Sequence, residues 1–233
     1  MTYSELIAKI RNYTEVDSTV LSDSICDGFI RDAELRIFRD VDADYSRKFA
    51  TSTFVADNRY VLLPNDCLIV RSVQHISGGT RTFLQERDTS FFSEYNPDDD
   101  TGTPKYWGHW HKTNDNFYLV VAPVPSAADT CQVNYVRVPP HLYSSTDAGA
   151  VPETMTSTFL STNASNCLLF ACLVEAYGYL KGSMDMYKLY ESKYNQVMQA
   201  FALEQMGRKR RGEYTDGVPR MVIPAPSPNY VKN

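Results

Sequence analysis

With 233 residues, 43% of them hydrophobic and 22% charged, the chain can bury a real core, either as one domain with an insertion or as two small domains. A formal net charge of -5, with Arg208-Lys209-Arg210-Arg211 as the only dense basic block, lacks the electrostatic footprint of a nucleic-acid-coating protein, although loose contact with DNA stays open. Five scattered cysteines (Cys26, Cys67, Cys131, Cys167, Cys172) without a Cys-x-x-Cys pair argue for small buried hydrophobes in a reducing compartment, against a disulfide framework or zinc site.

The N-terminus, MTYSELIAKI, is polar and helix-like where a signal peptide would be apolar, and no apolar run approaches the ~20 residues of a bilayer span, so the expectation is a protein made in the cytosol with no membrane partner. The glycosylation triplets at Asn12 and Asn163 then read as chance. Thr2 and Glu5 make a capping box, and Leu6, Ile7 and Ile10 give one apolar stripe, which predicts a short helix to Tyr13. A second start signal near Ser22 precedes Cys26, Phe29, Ile30, Ala33, Ile37 and Phe38, spaced by three and four; this helix is expected to end between Asp40 and Asp44.

From Phe49 the period drops to two. Phe49, Thr51, Thr53 and Val55 alternate, Asp57-Asn58 reads as a turn, and residues 60–64 and 68–73 read as strands. Gly78-Gly79 predicts a hairpin between 73–76 and 81–84. A polar, aromatic-studded excursion from Asp88 to Thr103, with Asp98-Asp99-Asp100, interrupts the strands, which resume at 106–112, 117–122 and 131–138. The helical period returns after a loop over 144–158. Leu169, Leu173, Ala176, Leu180, Tyr187, Tyr190, Tyr194, Val197 and Phe201 keep one phase, Gly182-Ser183 offers a break into two helices, and Gly207 is placed as a C-terminal cap. The fold class is therefore α+β: a helical bundle from residues 1–46 and 155–207, an antiparallel β insertion or platform over 47–145, and an extended arm over 208–233.

The arm begins with the basic run Arg208 to Arg211. Pro219, Pro224, Pro226 and Pro228 then alternate with apolar residues, among them Val222, Ile223 and, near the end, Tyr230. Repeated prolines fix φ and remove backbone donors, so this segment cannot bury itself and reads as an arm that orders on a partner. A helix dipole favours cations at its C-terminal end, which explains part of the basic block, but the block is denser than capping needs.

Candidate chemistry is sparse. His109 and His111 share a strand face at a spacing that can chelate a metal, but no pattern ties a third ligand, such as His75 or His141, to them. Asp98-Asp99-Asp100 lacks the spaced ligands and terminal Glu of a calcium loop. No Gly-x-Ser-x-Gly elbow, phosphate-binding loop or dinucleotide fingerprint is present. The expectation is a chain with no catalytic site, no metal and no cofactor.

Five segments taken in order do resemble a known family. They are Tyr60 to Asp66 (YVLLPND), Gly102 to Tyr106 (GTPKY), Leu119 to Pro125 (LVVAPVP), Tyr135 to Leu142 (YVRVPPHL) and the helix Leu168 to Leu180. Framed by helices, the set resembles the head-to-tail adaptors of short-tailed bacteriophages, also called connectors, tail tubular protein A or head completion proteins, over residues 1 to about 206. The resemblance implies a structural virion protein of the neck, assembled in the host cytoplasm. Twelve copies would form a ring that joins the portal protein to the tail nozzle or tube and lines the DNA exit channel. It implies an arm along the portal, for which Arg208, Lys209, Arg210, Arg211, Val222, Ile223 and Tyr230 are the candidate contacts. It also implies a β platform facing the tail or fibre anchors, for which the candidates are Trp107, Trp110, Asp98, Asp99 and Asp100. Two other classes compete: a metal-dependent hydrolase using His109 and His111, and a carbohydrate-binding tail module built on Trp107 and Trp110.

Overall fold

The structure is a computed structural model that describes residues 1–41, 43–110, 117–147 and 149–210, with backbone alone at 206–210. Two helices open the chain, α1 (Tyr3–Thr14) and α2 (Asp23–Asp40). The capping box forms as the sequence implies, with the Glu5 backbone N–H donating to Thr2 Oγ1 at 3.3 Å and the Thr2 N–H donating to Glu5 at 2.8 Å. Ser22 caps α2 through the Ile25 N–H. The turn between them is held by Arg11, whose guanidinium donates to the Leu21 carbonyl at 2.6 and 3.0 Å and to Asp23 at 2.7 Å.

Strands follow: β1 (Arg47–Thr53), β2 (Tyr60–Leu62), β3 (Cys67–Ser77), β4 (Thr80–Phe83) and β5 (Gln85–Glu86). After helix α3 (Thr89–Tyr95) come β6 (Thr101–Gly102), β7 (Tyr106–His109), β8 (Tyr118–Ala122), β9 (Val124–Pro125), β10 (Thr130–Arg137), β11 (His141–Leu142) and β12 (Thr154–Met155). The chain ends its described part with α4 (Phe159–Asn163), α5 (Ser165–Tyr179) and α6 (Met184–Arg210). The architecture is α+β, as the change of period implies.

Two four-stranded sheets, ordered β1-β10-β3-β4 and β2-β8-β7-β5, enclose one apolar core that includes Phe54, Val61, Val73, Leu84, Trp107, Leu119, Val121, Val133 and Tyr135. Strand β8 is buried on both faces. Leu119 and Val121 enter this core, while Val120 and Ala122 pack under Phe92 of α3. The excursion expected between strands thus contains a helix. At seven residues it is too short for periodicity to reveal, and Asp88 caps it through the Ser90 N–H at 3.1 Å. Gly108 on β7 is required by this layer, because a Cβ there would lie 2.6 Å from the Phe92 ring and 2.7 Å from the Arg87 carbonyl.

The expected all-antiparallel unit is corrected at three short pairs, β5·β7, β6·β9 and β11·β12, which run parallel. The connection from β5 to β7 carries α3, and a crossover of that length is what lets two strands of one sheet point the same way.

A second core lies among the helices. Helix α5 buries Cys167, Leu168, Leu169, Ala171, Cys172, Leu173, Val174 and Ala176, so it is covered nearly all round and packs against α1, α2 and α6. Helix α6 buries Tyr190, Tyr194, Met198 and Phe201. The chain reverses between α5 and α6 at Lys181, whose φ is 51°. Gly182 follows because a Cβ there would press to 2.6 Å on the Tyr177 ring. The long shared phase of residues 169–201 is therefore two helices packed on each other. Gly207 does not cap α6, whose backbone runs on to Arg210. All five cysteines are buried and unpaired, and burial lifts the thiols of Cys67 and Cys131 to about 12.

Candidate functional site

Two stretches of chain connect the helices to the β-sheets; a hydrogen bond and a ring stack hold the first, and buried charged groups hold the second. On the way in, α2 ends at Asp40, whose carboxylate accepts from the Tyr194 hydroxyl at 2.6 Å. Burial, then this hydrogen bond, raises the Tyr194 phenol. Tyr45 stacks on Phe159 with centroids 4.8 Å apart and planes at 6°.

On the way out, β10 leads through Pro139 and Pro140 into β11, which lies against α2. There Glu34, fully buried on α2, accepts three hydrogen-bonded groups. Its Oε1 takes the Leu142 N–H at 2.8 Å, and its Oε2 faces His141 Nδ1 at 2.9 Å and Arg31 Nη1 at 3.4 Å. Asp27, two helical turns earlier, holds His141 Nε2 at 2.9 Å. Arg31 also donates to the Pro139 carbonyl at 3.0 Å. Burial by itself pushes the His141 imidazole down. The hydrogen bonds and charges of Glu34 and Asp27 outweigh it, and the net displacement is upward. Burying this many charges costs desolvation free energy, so the cluster is better understood as fixing one orientation of the strand on the helix than as a source of stability.

This joint was not foreseen. The signal was present, because Glu34 sits between Ile30 and Ile37 on the apolar stripe of α2, where a carboxylate needs a buried partner. The identity of that partner, His141, lies 107 residues away and no local pattern connects them.

The candidate platform residues separate. Trp107 is 2% exposed inside the β core, so it offers no surface to a partner; the alternation of β7 turns it inward. Trp110 is 36% exposed and packs against Tyr60 at 5.4 Å. Asp98, Asp99 and Asp100 are all exposed on a turn that is built rather than loose. Asn96 clamps Asp100 by accepting from its N–H at 2.7 Å and donating to its carbonyl at 3.0 Å, and Arg59 reaches Asp99 at 3.0 Å. Of the candidate portal contacts, Arg208, Lys209 and Arg210 continue the α6 backbone, while Arg211, Val222, Ile223 and Tyr230 lie outside the described residues.

His109 ends β7 beside Glu86 at 3.7 Å, both exposed, and His111 lies outside the described residues. His75 pairs with Asp129 at 2.8 Å and His141 with the joint, so neither is shared with His109. Among the described residues, no group of three or more His, Cys, Asp and Glu converges to hold a metal. Changing His109 and His111 together to Ala is expected to move thermal stability by no more than ~0.5 kcal/mol, the usual range for surface positions. Melts with and without added zinc check this; a large drop accompanied by loss of a stoichiometric metal would restore the metal-site reading.

No helix among the described residues is long and apolar enough to cross a membrane. No curated protein matches the chain. The sequence pattern of the SU10 adaptor protein family matches residues 1–221, which takes in every helix and strand described above and continues past the basic run. The chain therefore belongs to the SU10 adaptor protein family, a family of phage head-to-tail adaptors.

Proposed function

We propose that this phage structural adaptor forms a ring, of twelve copies as in the resemblance noted above, between the portal and the tail nozzle or tube, and that the ring lines the channel by which the genome leaves. The observation that carries the reading is the family match over residues 1–221. It covers both helical segments and the strands between them as one unit, and it extends across Arg208 to Arg211, where a frayed tail would leave the family pattern.

In this reading residues 1–46 and 155–207 are a helical bundle that packs side by side with its neighbours. Exposed Leu189 and Leu203, fourteen residues apart on α6 and so close to one helical face, support such a lateral contact. Residues 47–145 are a platform toward the nozzle or fibre anchors, through Trp110 and Asp98 to Asp100 but without Trp107. The joint at Glu34 and His141 sets the angle at which that platform leaves the bundle. Residues 208–233 clasp the portal. A net charge of -5 suits a channel through which DNA passes without sticking. The protein belongs in the virion neck and is assembled in the host cytoplasm; its work is geometric, with no catalysis.

Removing residues 208–233 is expected to leave the fold intact, since Phe201 is the last buried apolar residue of α6 among the described side chains, and to abolish portal binding. Neutralising Arg208 to Arg211 alone should weaken binding in a salt-dependent way, as charges screened over ~8 Å do. Binding of the truncated chain to portal, with circular dichroism as the check on folding, decides the matter. Full-strength binding by a folded, truncated chain would remove the arm from the mechanism.

A further inference from the structure

The two sheets and α3 make three layers, and the outer layers differ in cover. Sheet β2-β8-β7-β5 is roofed by α3, whereas the outer face of β1-β10-β3-β4 carries no helix among the described residues. That bare face exposes Phe49 on one edge strand and Phe83 on the other, at 65% and 66%, with Ile69 between them at 45%. Across four strands at ~4.8 Å spacing, the two rings stand roughly 14 Å apart.

A depression of about 490 Å³ opens on this face, lined by Arg47, Lys48, Phe49, Arg71, Asn134 and Tyr135. Arg47 leans on Asp44 at 3.5 Å and Lys48 on Asp66 at 3.0 Å. Arg71 has no carboxylate partner among the described residues, and Arg81 on the same face reaches only the neutral Gln132 at 3.3 Å.

The opposite side of the three layers has the reverse character. Helix α3 and the turn after it present Glu94, Asp98, Asp99 and Asp100, with Tyr95 exposed at 44%. Arg59 answers Asp99 alone. Arg87 is turned over the rings of Phe91 and Tyr106, and Lys105 adds one further exposed cation.

We infer that the β unit docks head to tail on a second copy of the chain, the depression bounded by Arg47, Arg71 and Asn134 receiving the acidic turn 98–100 of the neighbour. The neighbour's Tyr95 then meets the apolar rim around Phe49 and Ile69. Opposite charges on opposite faces of one body give a heterologous contact, which closes as a ring or runs on as a filament and cannot close as a two-fold dimer. The inference rests on the ring reading above and adds which faces meet; it gives the acidic turn 98–100 to the neighbouring copy and leaves Trp110 as the contact toward the nozzle or fibre anchors.

Two full-length variants test it, Arg71→Glu with Arg81→Glu and Asp98→Lys with Asp100→Lys, each checked for folding by circular dichroism and imaged by electron microscopy after mixing with portal. Each alone is expected to lose ring assembly, because like charges then face each other, and an equal mixture should recover it, with the two variants alternating. Complete rings from either variant alone would overturn the pairing of faces while leaving the ring standing. Loss in both without recovery on mixing would also overturn it. Wild-type chain that forms no ring on portal would remove the ring reading and this contact together.

Discussion

Glu34→Ala is expected to lower the unfolding free energy by about 3 to 5 kcal/mol, the cost of removing one partner from a buried ion pair. The substitution leaves the Leu142 N–H, the His141 imidazole and the Arg31 guanidinium facing an emptied space at the point where the β-sheets return to the helices. Chemical denaturation followed by circular dichroism measures it. A loss below about 1 kcal/mol, within the range of ordinary surface changes, would mean that the cluster is hydrated and unimportant.

The same cluster sets a pH dependence. The folded imidazole of His141 is raised above its ordinary value of 6.5, so the folded chain holds this proton more tightly than the unfolded chain does. The stability it contributes is complete below 6.5 and is lost as pH rises through the higher folded value. Unfolding free energy should therefore fall as pH rises above 6.5, and His141→Asn should flatten that part of the profile. His75 pairs with Asp129, whose carboxyl is held low chiefly by the hydrogen bond from His75; the stability from that carboxyl is lost only as the solution becomes acid, outside this window.

Trp107→Ala should cost about 3 to 5 kcal/mol through the cavity it leaves, whereas Trp110→Ala should stay near ~0.5 kcal/mol because Trp110 is a partly exposed surface position. Thermal melts of the two variants give the comparison. The contrast bears on function, because a Trp107→Ala protein that lost glycan binding would have lost it by unfolding. A stable, native-like Trp107→Ala protein would instead show that the indole is not part of the core.

Local signals carried much of the fold. The capping box at Thr2, the cap at Ser22, the hairpin at Gly78-Gly79 and the switch of period near residue 47 each act within a few residues, and each corresponds to a structural event at that place. Membership of the adaptor family was legible too, because ordered short segments such as residues 60–66 and 119–125 survive as a linear pattern. The proline-rich basic segment was legible as composition; its first residues, 208–210, continue α6, and 211–233 lie outside the described residues.

What the sequence by itself determined, then, is the class of each element and its family, since helix caps, turns and hydrophobic periods are set by neighbours along the chain. What only the tertiary structure decided is which of the singled-out residues are available to a partner. Trp107 and Trp110 sit three residues apart in the sequence, yet one is sealed between two sheets and the other stands at the surface. The partner of Glu34 comes from the far side of the β unit, and the bare basic face exists only because β1, β10 and the β3–β4 hairpin, three separate parts of the chain, align their side chains on one side. Burial and charge complementarity belong to surfaces, and a surface is assembled from residues that the linear order keeps apart.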